Sequence, residues 1–257
     1  MGNTPDLQFL GVGADDARRD IAVLSRSGAG PAVVWLGGFR SDMRATKATA
    51  LDDWAADAGR AFLRFDYSGH GESSGRFEDG TISRWLEESV AVISAQTTAA
   101  PILVGSSMGG WLALLATLRL RAEGSPRAPA GLVLIAPAVD FTERLMWEAF
   151  PEEARQAIER EGVFMRPSQY GEPYAITRRL IEDGRRHLLL DGAIEPGCPV
   201  HILQGMEDPD VPWRHVLRFV EHLPGEAVTL TLIKDGDHRL SRPEDIERLV
   251  AAVAAMA

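Results

Sequence analysis

At 257 residues the chain is long enough to bury a sizeable apolar core, as one large domain or as a core with an insertion. A hydrophobic share of 45% and a charged share of 25% exclude a disordered or fibrous chain, and a formal net charge of -10 with no basic cluster speaks against a nucleic-acid partner. Cys198 is the single cysteine, which excludes an intramolecular disulfide and a thiolate metal site.

In chain order, the N-terminal stretch has no basic start followed by an apolar core, so no secretory signal is expected. No apolar run approaches the roughly 18 residues that span a bilayer. A cytoplasmic protein without a membrane partner is the expectation. Short apolar runs then alternate with helical patterns. Residues 32–36, 61–65, 101–105, 131–137, 200–205 and 228–233 read as strands, mostly apolar throughout, as parallel strands covered on both faces are. Between them Leu51, Trp54, Ala55 and Ala58 share one helical face, as do Leu86, Val90 and Ile93, and then Trp111, Leu114, Leu115 and Leu118. The repeat is βαβ. A final helix is expected to start on a capping box at Ser241–Glu244 and to bury Ile246, Leu249, Val250 and Val253.

The rhythm breaks between residues 138 and 190. Two helical patterns, PEEARQAIER and YAITRRLIED, follow one another with no strand expected between them, joined by the turn-rich FMRPSQYGEP. Helices inserted on an α/β core usually lie over its site. Met146, Trp147, Phe164, Met165 and Tyr170 are candidate pocket residues, with Phe150 and Tyr174 beside them. The same side chains can equally fasten the cap to its core.

Gly105-Ser106-Ser107-Met108-Gly109 satisfies G-x-S-x-G only with Ser107 at the centre. A serine on a sharp turn from strand to helix needs a strained backbone, and glycines two residues to either side remove side chains that would collide there. The helix N-terminus favours negative charge developing near the hydroxyl. A serine hydroxyl is a poor nucleophile at neutral pH, so it needs a base, and the base needs a carboxylate to hold its tautomer. In this architecture the acid follows a late strand and the histidine follows the last one. GMEDPDVPW and DGDHRL occupy those places, which makes Asp208 and His238 the candidates. Asp210 is the rival acid; Glu207, Asp235 and Asp237 also compete. His70, His187, His201, His215 and His222 are expected to be structural or exposed, and no H-x-x-x-H pair suggests a metal. Two N–H groups must wait for an oxyanion: Met108 at the helix start and Phe39 in the loop Gly37–Met43. Asp66 and His70, in FDYSGHGESSG, are assigned to loop order.

With those residues in hand, the chain resembles α/β-hydrolases, and among them the mitochondrial abhydrolase-domain palmitoyl-protein thioesterase and acyl-glucuronide esterase family. GGFRSDMRATKA, RFDYSGHGESSG, ILVGSSMGGWL, GMEDPDVPW and DHRL carry the resemblance in that order, and the stretch from Gly162 to Leu190 is similar to the family's cap. It implies an α/β-hydrolase fold: a mostly parallel central sheet with helices on both faces and a small helical cap after the sixth strand. The core is expected at 1–137 and 191–257, the cap at 138–190. It implies Ser107 as nucleophile, Asp208 as orienting acid and His238 as general base of a cofactor-free, metal-free esterase or thioesterase. The substrate would be a small molecule or an acylated protein. Organelle targeting is not carried over, and oligomeric state is not legible. A peptidase or other hydrolase on this scaffold, or a non-catalytic ligand receptor, are the alternatives.

Overall fold

The computed structural model describes residues 5–168, 171–225 and 227–257. Eight strands form one sheet: β1 (Leu7–Val12), β2 (Arg19–Arg26), β3 (Ala29–Leu36), β4 (Arg60–Phe65), β5 (Ile102–Ser106), β6 (Gly131–Ile135), β9 (Val200–Gly205) and β10 (Val228–Ile233). Their order is β1-β2-β4-β3-β5-β6-β9-β10. β1 and β2 join antiparallel; every pairing from β4 to β10 is parallel.

The uniform apolarity of the central strands follows from helices on both faces. Alternate residues of each strand divide between two core clusters. Val33, Trp35, Val104, Val133 and Leu203 face α1 (Thr46–Asp57) and α7 (Pro243–Ala254). Val34, Leu36, Leu103, Leu132, Leu134 and Ile202 face α2 (Ile82–Gln96), α3 (Met108–Ala122) and α6 (Trp213–Glu221). α3 is buried from Met108 to Thr117 on every side, which is why its sequence is apolar all round. β1 and β2 were not expected. β1 is an edge strand with Leu7 and Phe9 exposed, and β2 is bracketed by charges, its Arg19 buried against Glu88 at 2.8 Å.

The cap between β6 and β9 departs from the expected pair of helices. A π-helical turn (Thr142–Trp147) leads to α4 (Glu152–Glu161), then β7 (Val163–Ser168) and β8 (Gly171–Thr177) pair as an antiparallel hairpin before α5 (Arg178–Gly184). The segment expected as a turn belongs to this hairpin; of the expected second helix, Tyr174–Thr177 lie in the return strand and Arg178–Asp183 lie in α5. α4 ends at Gly162, φ +83°, a left-handed stop that glycine adopts without strain. Asp140 ties the two stems of the cap together, its buried carboxylate accepting the Leu189 and Leu190 N–H groups at 2.8 and 2.9 Å.

α7 is capped one residue later than expected. Asp245 accepts the Arg242 N–H at 3.3 Å, while Ser241 Oγ donates to Arg239 O instead. Among the described residues no helix is long and apolar enough to cross a membrane.

Candidate active site

β5 runs into α3 through Ser107, whose φ of 54° and ψ of -117° no ordinary strand or helix uses. Its neighbours over-determine that conformation. Ser107 N–H donates to Ile135 O at 2.8 Å, and Ser107 O accepts from Gly110 and Ala138 at 2.9 and 3.1 Å. A Cβ on Gly105 would lie 2.4 Å from Gly109 O, and one on Gly109 would lie 2.1 Å from Leu36 O. Both glycines are therefore demanded by backbone, as the motif implies. The two adjacent serines part company here: Ser106 is a β5 residue paired with Ile135 and only 7% exposed, whereas Ser107 opens on a pocket.

The acid and the histidine come from neighbouring strand ends. Met206 N–H donates to Ile233 O at 2.8 Å and Glu207 N–H to Gly236 O at 2.9 Å, which stitches the loop after β9 to the loop after β10. Asp208 Oδ1 accepts the Asp210 and Val211 N–H groups, both at 2.8 Å. Its Oδ2 lies 2.7 Å from His238 Nδ1, and His238 Nε2 lies 3.1 Å from Ser107 Oγ. A carboxylate only accepts, so Nδ1 carries the proton and Nε2 offers its lone pair to the Ser107 hydroxyl. The Asp208 side chain is fully buried, whereas its rival Asp210 is exposed and gives only its backbone N–H. Glu207 is exposed, Asp235 pairs with Arg242 at 2.6 Å, and Asp237 accepts the Leu240 N–H. Asp208, Asp210 and His238 offer ligand atoms within 4.8 Å of one another. The hydrogen bonds of Asp208 and His238 already occupy the lone pairs a metal would take.

Phe39 and Met108 lie at the same pocket as Ser107 and His238. Met108 begins α3, where the first N–H groups have no intrahelical acceptor. Among the described residues neither the Phe39 nor the Met108 N–H has a hydrogen-bond partner. Gly38 packs beside the elbow, where a Cβ would make ordinary contact with Ser107 Cβ at 3.5 Å. Asp66 orders the base of the loop, accepting Met43 N–H at 2.6 Å and Glu72 N–H at 2.8 Å, as its assignment to loop order expected. Burial pushes its carboxyl above the usual carboxylate range.

The pocket has a volume of about 560 Å³. Of the residues expected to line it, Met146 and Tyr174 are found there among the described residues. Trp147 packs against the core with the Arg185 guanidinium 4.8 Å from its ring, and Phe164 turns to Phe150, centroids 5.8 Å apart. Met165 is 53% exposed, because alternation along β7 sends it to the opposite side from Phe164 and Arg166. Tyr170 lies outside the described residues. Phe141, Leu145, Arg166 and Val211 take the other places, with Arg40 and Asp210 among the polar lining residues. Arg166 is the cross-strand partner of Tyr174, so a hairpin pattern in VFMRPS and GEPYAIT is the signal that would have found it. Arg40 has no such signal. A wider cleft of about 860 Å³, lined by Arg76, Asp79, Arg160, Arg178 and other charged residues, contains none of Ser107, Asp208 or His238.

The other histidines have local partners. His187 meets Ser83 Oγ at 2.7 Å, His201 meets Thr231 Oγ1 at 3.2 Å, and His215 donates to Val139 O at 2.8 Å. His222 donates to Arg218 O at 2.8 Å. His70 bonds Ser68 O and the Arg40 N–H.

Residues 18–252 match the model of the alpha/beta hydrolase family. The bovine mitochondrial palmitoyl-protein thioesterase ABHD10 is 34% identical over 236 residues, 91% of this chain and 75% of that protein. Among solved structures, a protein from Agrobacterium vitis S4 superposes with a TM-score of 0.96 at 50% identity over 99% of each chain. The mouse alpha/beta hydrolase domain-containing protein 10 superposes with a TM-score of 0.86 at 32% identity over 97% of each. The chain, matched along most of its length in sequence and in fold, belongs to the alpha/beta hydrolase family.

Proposed function

We propose that the chain is a serine hydrolase that cleaves carboxylic esters or thioesters through an acyl-enzyme. The observation that carries this reading is the unbroken line of contacts from Asp208 through His238 to the Ser107 hydroxyl, 2.7 and 3.1 Å, ending in a pocket. Ser107 Oγ attacks the carbonyl carbon while His238 Nε2 takes its proton, and Asp208 steadies the resulting imidazolium. The Phe39 and Met108 N–H groups receive the oxyanion of the tetrahedral intermediate. Its collapse breaks the bond to the alcohol or thiol, which leaves with the proton from His238, and the acyl group stays on Ser107. Water then attacks the acyl-enzyme as His238 takes one of its protons; the second collapse releases the acid and returns that proton to Ser107. Apart from the substrate and the attacking water, each step uses side chains and amides of this chain.

Phe141, Leu145, Met146 and Val211 give the pocket apolar walls suited to an acyl chain. The relatives named palmitoyl-protein thioesterases support long-chain thioesters, on a protein or a small thiol, as the substrates to try first. A cytoplasmic place of action belongs to the same proposal, although those relatives are named mitochondrial. Purified protein is expected to hydrolyse p-nitrophenyl esters and a palmitoyl thioester, and Ser107→Ala to abolish both. Wild-type protein that turns over neither ester nor thioester contradicts the reading.

A further inference from the structure

Along β9 the alternation of side chains puts Gln204 in one row with Val200 and Ile202, both of which belong to the larger apolar cluster. A glutamine in that row is out of keeping with its neighbours, and it is 0% exposed. Its amino nitrogen Nε2 meets three acceptors from the loop that follows: Gly205 O at 2.8 Å, Val211 O at 3.0 Å and Asp208 Oδ2 at 3.4 Å. Two carbonyls and a carboxylate only accept, which settles which end of the amide faces them. Oε1, at the other end, is buried with no hydrogen-bond partner among the described residues. A buried amide oxygen without a donor costs free energy, and a methionine fills the same length without that cost. What distinguishes glutamine at this position is its amino group.

Asp208 Oδ2 is the oxygen that lies 2.7 Å from His238 Nδ1, so Gln204 touches the line to Ser107 directly. The other oxygen, Oδ1, is fixed by the Asp210 and Val211 N–H groups, and on those bonds alone the carboxylate can still pivot. Besides His238, Gln204 is the donor that reaches Oδ2 among the described residues. Gln204 also grips the loop on both sides of the acid. Gly205 and Val211 flank it, and both carbonyls turn in to the same nitrogen. Val211 closes the circle, since its carbonyl accepts from Gln204 while its own N–H donates to Asp208 Oδ1 at 2.8 Å. The amino group has two hydrogens for three acceptors, so the carbonyls take the shorter bonds and the Asp208 contact is the longer, shared one. Without that group, two carbonyl oxygens and a carboxylate oxygen face one another in a buried site with no donor between them. Their repulsion is relieved by moving apart, and Oδ2 is the one of the three on a side chain that can swing.

We infer that Gln204 is a positioning residue: by donating to Oδ2 and to the two sides of the acid loop, it holds the Asp208 carboxylate against His238 Nδ1. The inference rests on the reading of Asp208, His238 and Ser107 as acid, base and nucleophile, and adds to it a side chain that acts only through the acid. Gln204 does not line the pocket, so its effect falls on the step in which His238 becomes charged and not on substrate binding.

The test is steady-state hydrolysis of p-nitrophenyl butyrate by wild type and Gln204→Met, joined to the rate of fluorophosphonate labelling in wild type, Gln204→Met, Asp208→Ala and the double variant. Gln204→Met is expected to lower kcat roughly 10- to 100-fold with KM changed less than about threefold, a loss of the size found when the partner that orients a metal-ligating side chain is removed. Labelling falls by a similar factor while Asp208 is present. In the Asp208→Ala background no carboxylate is left to hold, and Gln204→Met changes the labelling rate by less than about twofold. A glutamine that merely supports the strand costs the same in both backgrounds. An unchanged kcat in Gln204→Met, or an equal fall in labelling with and without Asp208, overturns the inference. Should Gln204→Met lack a cooperative thermal transition, Gln204→Asn, which withdraws the amino group by one carbon, replaces it in both arms. A wild-type protein that neither turns over the ester nor takes the label contradicts the nucleophile reading instead, so the two failures are distinct.

Discussion

His238 Nε2 lies 3.1 Å from Ser107 Oγ across 131 residues of sequence. Backbone sets this closeness from both sides. The Ser107 N–H is tied to the end of β6 through Ile135 O, and the histidine loop is tied to the acid loop by the Glu207–Gly236 hydrogen bond. The three side chains are therefore brought into line by strand ends of one sheet, before any substrate is present.

The proposed acid is Asp208, whose carboxylate reaches His238 Nδ1 at 2.7 Å, and not Asp210. Asp208→Asn keeps the shape but offers Nδ1 an amide whose donor face favours the wrong tautomer, so kcat for ester hydrolysis is expected to fall roughly 10³- to 10⁴-fold. Asp210→Asn leaves the backbone N–H that Asp208 uses and changes kcat by less than about threefold. Steady-state kinetics on the two variants decides; a larger loss at 210 than at 208 contradicts the assignment.

The glycine at 109 is a packing requirement independent of chemistry. A methyl group there meets the Leu36 and Gly37 carbonyl oxygens at 2.1 and 2.5 Å, and neither is free to swing away. Gly109→Ala is expected to cost about 3 kcal/mol in thermal unfolding followed by circular dichroism. Gly192→Ala, where an added Cβ meets nothing within 4 Å, serves as the near-neutral control. Equal melting temperatures for the two variants contradict the account of the elbow.

Acid should destabilise the fold through His70. Its folded pKa is about 4 and its ordinary value 6.5, so on acidification the unfolded chain takes up a proton that the buried ring refuses. This contribution is complete above pH 6.5 and is lost as pH falls toward 4. Burial raises the Asp66, Glu88 and Asp140 carboxyls, which act with the opposite sign, so the informative quantity is a difference between two proteins. From about pH 7.5 to about pH 5, wild type is expected to lose about 2 kcal/mol more than His70→Gln in urea unfolding. Parallel losses contradict it.

What the sequence made legible and what it hid have physical reasons. The central strands are apolar throughout because both faces are covered, and the elbow glycines are dictated by backbone contacts at fixed offsets from Ser107. Asp208 and His238 follow strand ends, so chain order alone located them. β1 escaped because an edge strand buries little, and β2 because Arg19, which reads as surface, is buried on Glu88. The cap hairpin escaped because Arg166 and Pro167 interrupt the apolar pattern of β7. Its side-chain parity turns Met165 away from Phe164, Arg166 and Tyr174; of the aromatic residues on that shared face Tyr174 meets the pocket, while Phe164 packs on Phe150. The His70–Arg40 bond joins two loops, and no spacing within either one announces it.

The central claim is that Ser107, alone of the adjacent pair, is the nucleophile. The direct measurement is reaction of wild type, Ser106→Ala and Ser107→Ala with a fluorophosphonate, followed by intact mass and peptide mapping. One adduct, on Ser107, present in wild type and Ser106→Ala and absent from Ser107→Ala, is the predicted result. An adduct that persists in Ser107→Ala, or a wild type that takes none, contradicts it.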